Sequence, residues 1–171
     1  ISVEILGNPG LSLNGDIKPV GNPFIPDEPC KIFGSGAWLT FTAGDHTINQ
    51  TGLVSGLWLD VRVRGPGNIN KIGTNVLYLV QSNDFTGVLT INDGPVVISN
   101  NWALGALAGN TVVGSGGQLV LTPGVAGLRE PLTLQPGSTL TRSLGTWTPA
   151  IVGNIAVTGP GQPATIAQIT E

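Results

Sequence analysis

Residues 68–105, NINKIGTNVLYLVQSNDFTGVLTINDGPVVISNNWALG, restrict the fold more than any other part of the chain. Three β-rich runs, at 76–80, 87–91 and 95–99, follow one another with only Gly, Asn, Asp and Ser between them. The gaps are too short for a helix. The chain must therefore either double back in hairpins or wind on as the coils of a solenoid. Glycines interrupt every window that could carry a helical apolar period, and residues 101–108 are the one place for a helical turn.

Inward and outward sides can be read from alternation. In residues 57–64, Leu57, Leu59, Val61 and Val63 fall on one face and Trp58, Asp60, Arg62 and Arg64 on the other. A slip of one residue would bury two arginines and an aspartate, so the apolar face must point inward. Leu39 and Phe41 alternate in the same way with Trp38, Thr40 and Thr42, and Leu77, Leu79, Leu89 and Ile91 are the inward set of the central stretch. Further strands are expected at 118–122, 131–134, 138–141, 154–158 and 164–169. Several share a form in which a glycine precedes two aliphatics one position apart: GQLVL from Gly117, GNIAV from Gly153, GVLTI from Gly87, with GSTL from Gly137 a shorter version. Hairpin dipeptides are few, Asn14-Gly15 and Asp93-Gly94 being the clear ones. This places an all-β solenoid slightly ahead of the alternative, a β-sandwich or jelly roll.

The first 31 residues read differently. Two short strand-like runs lead into a segment with Pro19, Pro23, Pro26 and Pro29. Proline fixes its own φ, lacks a donor and pushes its predecessor towards extended geometry, so residues 18–30 are expected to form an extended connector. Residues 1–31 are thus assigned as an N-terminal strand and Pro-rich arm or cap, and residues 32–171 as the β-helix domain.

At 171 residues the chain can bury a core without staples. Only 10% of its residues are charged, against roughly 25% in an ordinary soluble domain. Seven basic residues and a net charge of −3 give no electrostatic footprint for nucleic acid, and no apolar run is long enough for membrane insertion. Low charge with abundant Gly, Thr and Asn suits an extracellular or cell-surface protein. Cys30 stands alone, which excludes an intrachain disulfide and cysteine-pair metal sites. There is no methionine, so a processed product or an excised piece is expected.

The order of landmarks in the central stretch resembles the autotransporter-associated β-strand repeat, or passenger-associated transport repeat. Lys71, Gly73, Leu77, Leu79, Asn83, Phe85, Gly87, Ile91, Gly94, Val96, Ile98, Ala103, Leu104 and Gly105 fall on positions of that pattern. Asn75 stands where the repeat has glycine and Phe85 where it has tyrosine. Counting looser flanks, the likeness covers about residues 34–170. It implies a single-domain right-handed parallel β-helix in a larger secreted or surface-displayed protein, and it brings no catalytic motif.

Catalytic constellations are sparse. His46 is the single histidine, no nucleophile elbow is present, and a Cys30/His46 dyad has little support beside a connector thiol and a turn histidine. Asn83-Asp84 and Asn92-Asp93 suggest calcium but lack its loop spacing, so turn formation is the expectation. Trp102 and Trp147 are expected to cover coil corners, and Asn49-Gln50-Thr51 is a formal glycosylation sequon. No catalytic, cofactor or metal residue is assigned. The candidate interaction face is Trp58, Asp60, Arg62 and Arg64, since Trp and Arg favour interfaces. A glycosidase would need Asp60 plus a second carboxylate, Asp45 or Asp84, from another coil.

The expected function is accordingly a non-enzymatic structural module: a scaffold, stalk, adhesin-like or self-assembling subunit of a secreted or surface-displayed β-helical protein. Expected partners are a copy of itself, a larger parent polypeptide, or a carbohydrate or surface receptor. The alternatives are a virion, fibre or capsid-decoration protein, and a carbohydrate-active enzyme using the face around Asp60.

Overall fold

The computed structural model describes residues 2–6, 10–20, 29–52, 55–143, 150–151, 154–159 and 164–168. Those residues form strands joined by turns, with no helix among them: β1 (Ser2–Glu4), β2 (Leu11–Leu13), β3 (Cys30–Phe41), β4 (Asp45–Asn49), β5 (Gly56–Arg64), β6 (Asn68–Ile72), β7 (Val76–Leu79), β8 (Val88–Ile98), β9 (Asn110–Leu121), β10 (Gly127–Leu128), β11 (Leu132–Leu134), β12 (Thr139–Arg142), β13 (Ala150–Ile151), β14 (Ile155–Val157) and β15 (Thr165–Gln168). All of the strand pairings are parallel. That pattern is a parallel β-helix, and it rules out the sandwich and jelly roll, which are built on antiparallel neighbours.

Each coil has three sides. On the first, β1, the start of β3, the start of β5, β7, the end of β8, the end of β9, β12 and β15 stack in that order. The second carries β2 on the end of β3 and then the end of β5. β4, β6, the start of β8, the start of β9, β11 and β14 make the third. Along this third side the chain advances 23 residues from Ile48 to Lys71, 20 to Ile91, 22 to Val113, 21 to Leu134 and 23 to Val157. Unequal coils of this kind explain why the sequence shows no strict period.

Parallel stacking puts like positions in columns. Leu57, Leu77, Val96, Leu119 and Leu140 form one interior ladder and Leu59, Leu79, Ile98 and Leu121 the next, all at most 3% exposed. Leu77, Leu79, Leu89 and Ile91 point inward as their alternation requires, and so do Leu57, Leu59, Val61 and Val63. Each such side chain withdraws about 1.5–3 kcal/mol worth of apolar surface from water. At the ends the columns open: Val3 is 50% exposed, Val157 61% and Ile166 63%.

Of the repeat-like landmarks, Leu77, Leu79, Ile91, Val96 and Ile98 lie in the strands, and Asn83, Phe85, Gly87 and Gly94 sit at the corners. Buried Asn83 accepts from the Val63 amide through Oδ1 (2.7 Å) and donates from Nδ2 to the Ala103 carbonyl (2.6 Å), lashing one coil to those on either side. Phe85 is fully buried two residues on. Gly87 cannot carry a side chain, because a Cβ there would lie 2.1 Å from the Gly67 carbonyl oxygen. Asp93-Gly94 makes a corner inside β8 rather than a hairpin: Gly94 has φ +65°, which bends the strand from the third side onto the first while the chain keeps its parallel sense. Residues 101–108 form turns, with Ala103 and Leu104 buried, in place of the helical turn expected there.

At the N-terminal end, β1 and β2 lie on β3 as the outermost layer of the same sheets, and Ile17 bridges to Ile48. Cys30, placed in the connector by its sequence, opens β3 and is buried under Leu57. Residues 21–28 of the connector lie outside the described residues, as does Trp147.

Candidate ligand-binding groove at the β3 bulge

The outward face of β5 acquires its shape from β3. Phe33 pairs with Asp60 and Trp38 with Arg62, so four residues of β3, Gly34 to Ala37, stand against Val61 alone. Such a bulge lifts the outer strand off its neighbour. A groove of about 610 Å³ opens there, lined by Phe33, the 34–37 backbone, Trp38, Asp60, Arg62, Arg64 and Gln81. The alternation read from sequence holds, but the four-residue face divides. Asp60, Arg62 and Arg64 line the groove, whereas Trp58 lies outside it, stacked on Tyr78 with centroids 4.2 Å apart and planes at 20°.

The groove's charges are paired across coils. Lys31 Nζ lies 2.8 Å from Asp60 Oδ2 and Gln81 Nε2 donates to Asp60 Oδ1 at 2.7 Å. The Lys31 bond, reinforced by that from Gln81, holds the Asp60 carboxyl below its ordinary value of 3.8. Arg62 donates to Asp84 Oδ2 at 2.8 Å, Arg64 Nε stands 3.8 Å from the other oxygen, and the Arg64 guanidinium covers the Trp38 ring at 4.6 Å. Lys31 lies 5.4 Å from the Phe33 ring centre. A general acid working near neutral pH needs a raised pKa, the opposite of what Asp60 has. The arrangement suits charge pairing and the holding of a polar ligand.

Other sequence candidates go to structural contacts. His46 is buried on β4, not on a turn; its Nδ1 faces the Gly15 carbonyl (3.0 Å) and its Nε2 the Thr42 carbonyl (2.8 Å), so neither nitrogen serves Cys30. Asp45 accepts from Asn68 Nδ2 at 2.8 Å on the third side of the coil. Asn92 donates to Asn70 one coil below. Asn49 Oδ1 accepts from the Thr51 amide at 3.0 Å, a local turn. Trp102 is 39% exposed with the Arg129 guanidinium 5.6 Å from its centre.

Two buried ionisable groups escaped sequence reasoning. Lys71 occupies an interior column between Ile48 and Ile91, is 0% exposed, and donates to the carbonyls of Gly73 and Asp93. Desolvation lowers its pKa to about 8, Asp93 opposing. Glu130 is 3% exposed; Thr111 Oγ1 donates weakly to its Oε1 at 3.4 Å. Burial raises its pKa to about 8. The signal for both was present in the alternation: Lys71 falls in step with Ile69 on β6, and Glu130 falls in step with Leu128, Leu132 and Leu134.

No protein-family model, curated protein or solved structure matches the chain.

Proposed function

We propose that the chain is a non-enzymatic β-helical scaffold, a module of a secreted or surface-displayed protein of the autotransporter-repeat type. One observation carries this reading: polar and aromatic side chains on the outside are bonded along the helix axis, coil to coil. Lys31, Asp60 and Gln81 form one such chain, Arg62, Asp84 and Arg64 a second, Asp45, Asn68 and the Val88 amide a third, and Trp58 with Tyr78 a fourth. Singly these exposed contacts are weak. Together they run parallel to the interior ladders and oppose bending and separation of the coils, which is the mechanical property a stalk or display scaffold needs.

Low charge and neutral polar surfaces support an extracellular setting, and corner roles for Asn83, Phe85 and Gly87 support the repeat likeness. The test is incubation with neutral and acidic polysaccharides, comparing the wild type with Asp60→Asn. Neither protein should release reducing sugar or unsaturated product. Release by the wild type that Asp60→Asn abolishes would replace the scaffold with a carbohydrate-active enzyme.

A further inference from the structure

The groove at the β3 bulge combines charged side chains, two aromatic rings and a concave shape. Lys31, Arg62 and Arg64 are three of the seven basic residues of the whole chain, and against them at this corner stand Asp60 and Asp84. The corner is therefore net positive on a protein whose net charge is −3. Its acids are each engaged, yet Arg62 remains half exposed, and the one hydrogen bond it makes to Asp84 uses a single terminal nitrogen. Guanidinium N–H groups beyond that one are open to a second carboxylate, which the planar fork of Arg accommodates well. Two aromatic rings, Phe33 and Trp38, stand at opposite ends of the bulge and line the same space. Gly36 lines the space between them and is exposed, with nothing within 4 Å of where a side chain would begin. A volume of about 610 Å³ lies in the range of sites that hold small molecules.

From this set of features we infer that the groove binds a saccharide chain bearing carboxylates, a hexuronate polymer. The acid group meets Arg62, sugar rings pack against Phe33 and against the edge of the Trp38 ring that Arg64 covers, and hydroxyls meet the Gln81 amide and the backbone of the exposed Ser35 and Gly36. The coil-to-coil pairing of Lys31, Asp60, Gln81, Arg62 and Asp84 holds these groups in place beforehand, which limits the ordering cost of binding. No bond is made or broken, and Asp60 serves as the fixed anchor of Lys31 and Gln81.

Affinity electrophoresis and calorimetry with polygalacturonate and alginate, against neutral dextran, test this on the full chain. Retardation by the uronate polymers and not by dextran is expected, with binding weakened about tenfold by Arg62→Gln and by Trp38→Phe, and unchanged by Asn92→Ala on the third side. Arg62 is exposed and Trp38→Phe keeps a ring, so both variants should melt within a few degrees of wild type. Equal retardation by dextran, no retardation at all, or full binding by a folded Arg62→Gln protein would overturn the assignment. Raising the salt concentration should weaken uronate binding; salt-independent binding would also count against it.

Discussion

Lys71 and Glu130 give the protein an unusual dependence on pH. Glu130 keeps its proton in the folded chain up to about pH 8, whereas the unfolded chain releases it near 4.5, so stability falls as pH rises through that interval. Lys71 works in the opposite sense at higher pH. The folded chain gives up its proton from about 8 and the unfolded chain from 10.5, so stability recovers as pH rises between them. Urea titrations across this range should therefore show a minimum of stability near pH 8. Glu130→Gln should flatten the acid limb and Lys71→Met the alkaline one; a profile with no minimum, or unmoved by either change, would refute the assignment. Asn83 offers a second test at this scale. Asn83→Asp puts an oxygen against the Ala103 carbonyl in place of a donor, and should destabilise by about 1–3 kcal/mol, more than an exposed change such as Asn14→Asp, when both are measured by chemical denaturation.

Among the elements, β5 was fully legible and β3 was not. β5 has a period of two that its own residues enforce, with charge on one face and aliphatics on the other, and the fold could only satisfy it one way round. β3 reads as a strand in its second half, but nothing in Gly34-Ser35-Gly36-Ala37 reveals that these four residues will face one residue of a strand that pairs 27 positions later. The groove is a property of that mismatch, so three of the four residues singled out on β5 prove to line it while the cause of the groove lies elsewhere. Excising residues 34–36 should bring Phe33 and Ala37 into step with Asp60 and Val61, close the groove and abolish uronate binding while leaving the far-UV spectrum of a β-protein. Retained binding by the shortened chain would show that the bulge does not make the site. At the corner after β7, Gly87→Ala should cost more than a typical surface change, since the added carbon meets backbone rather than a flexible side chain; a melting temperature equal to wild type would contradict this.

The whole molecule behaves as a stack in which each coil contacts the ones above and below, so stability should be distributed along the axis. Hydrogen exchange is expected to be slowest in β5 to β9, where the ladders are closed on both sides, and fastest in β1, β14 and β15, where Val3, Val157 and Ile166 are exposed. Excising residues 69–88, one register step on the third side, should leave Ile48 against Ile91 and yield a folded rod shorter by about 4.8 Å with a smaller urea slope. Collapse of that variant would refute independent stacking. Taken alone, the sequence determined that the chain is all-β, which residues of the central strands point inward, and that the turns are too short for helices, because alternation and glycine placement are local properties. Tertiary structure decided the rest. Coil lengths of 20 to 23 residues along the third side, and longer ones near the N-terminus, set which residues meet across a coil boundary. Those meetings buried Lys71, His46 and Glu130, turned Asp93-Gly94 into a corner, and opened the groove beside Arg62.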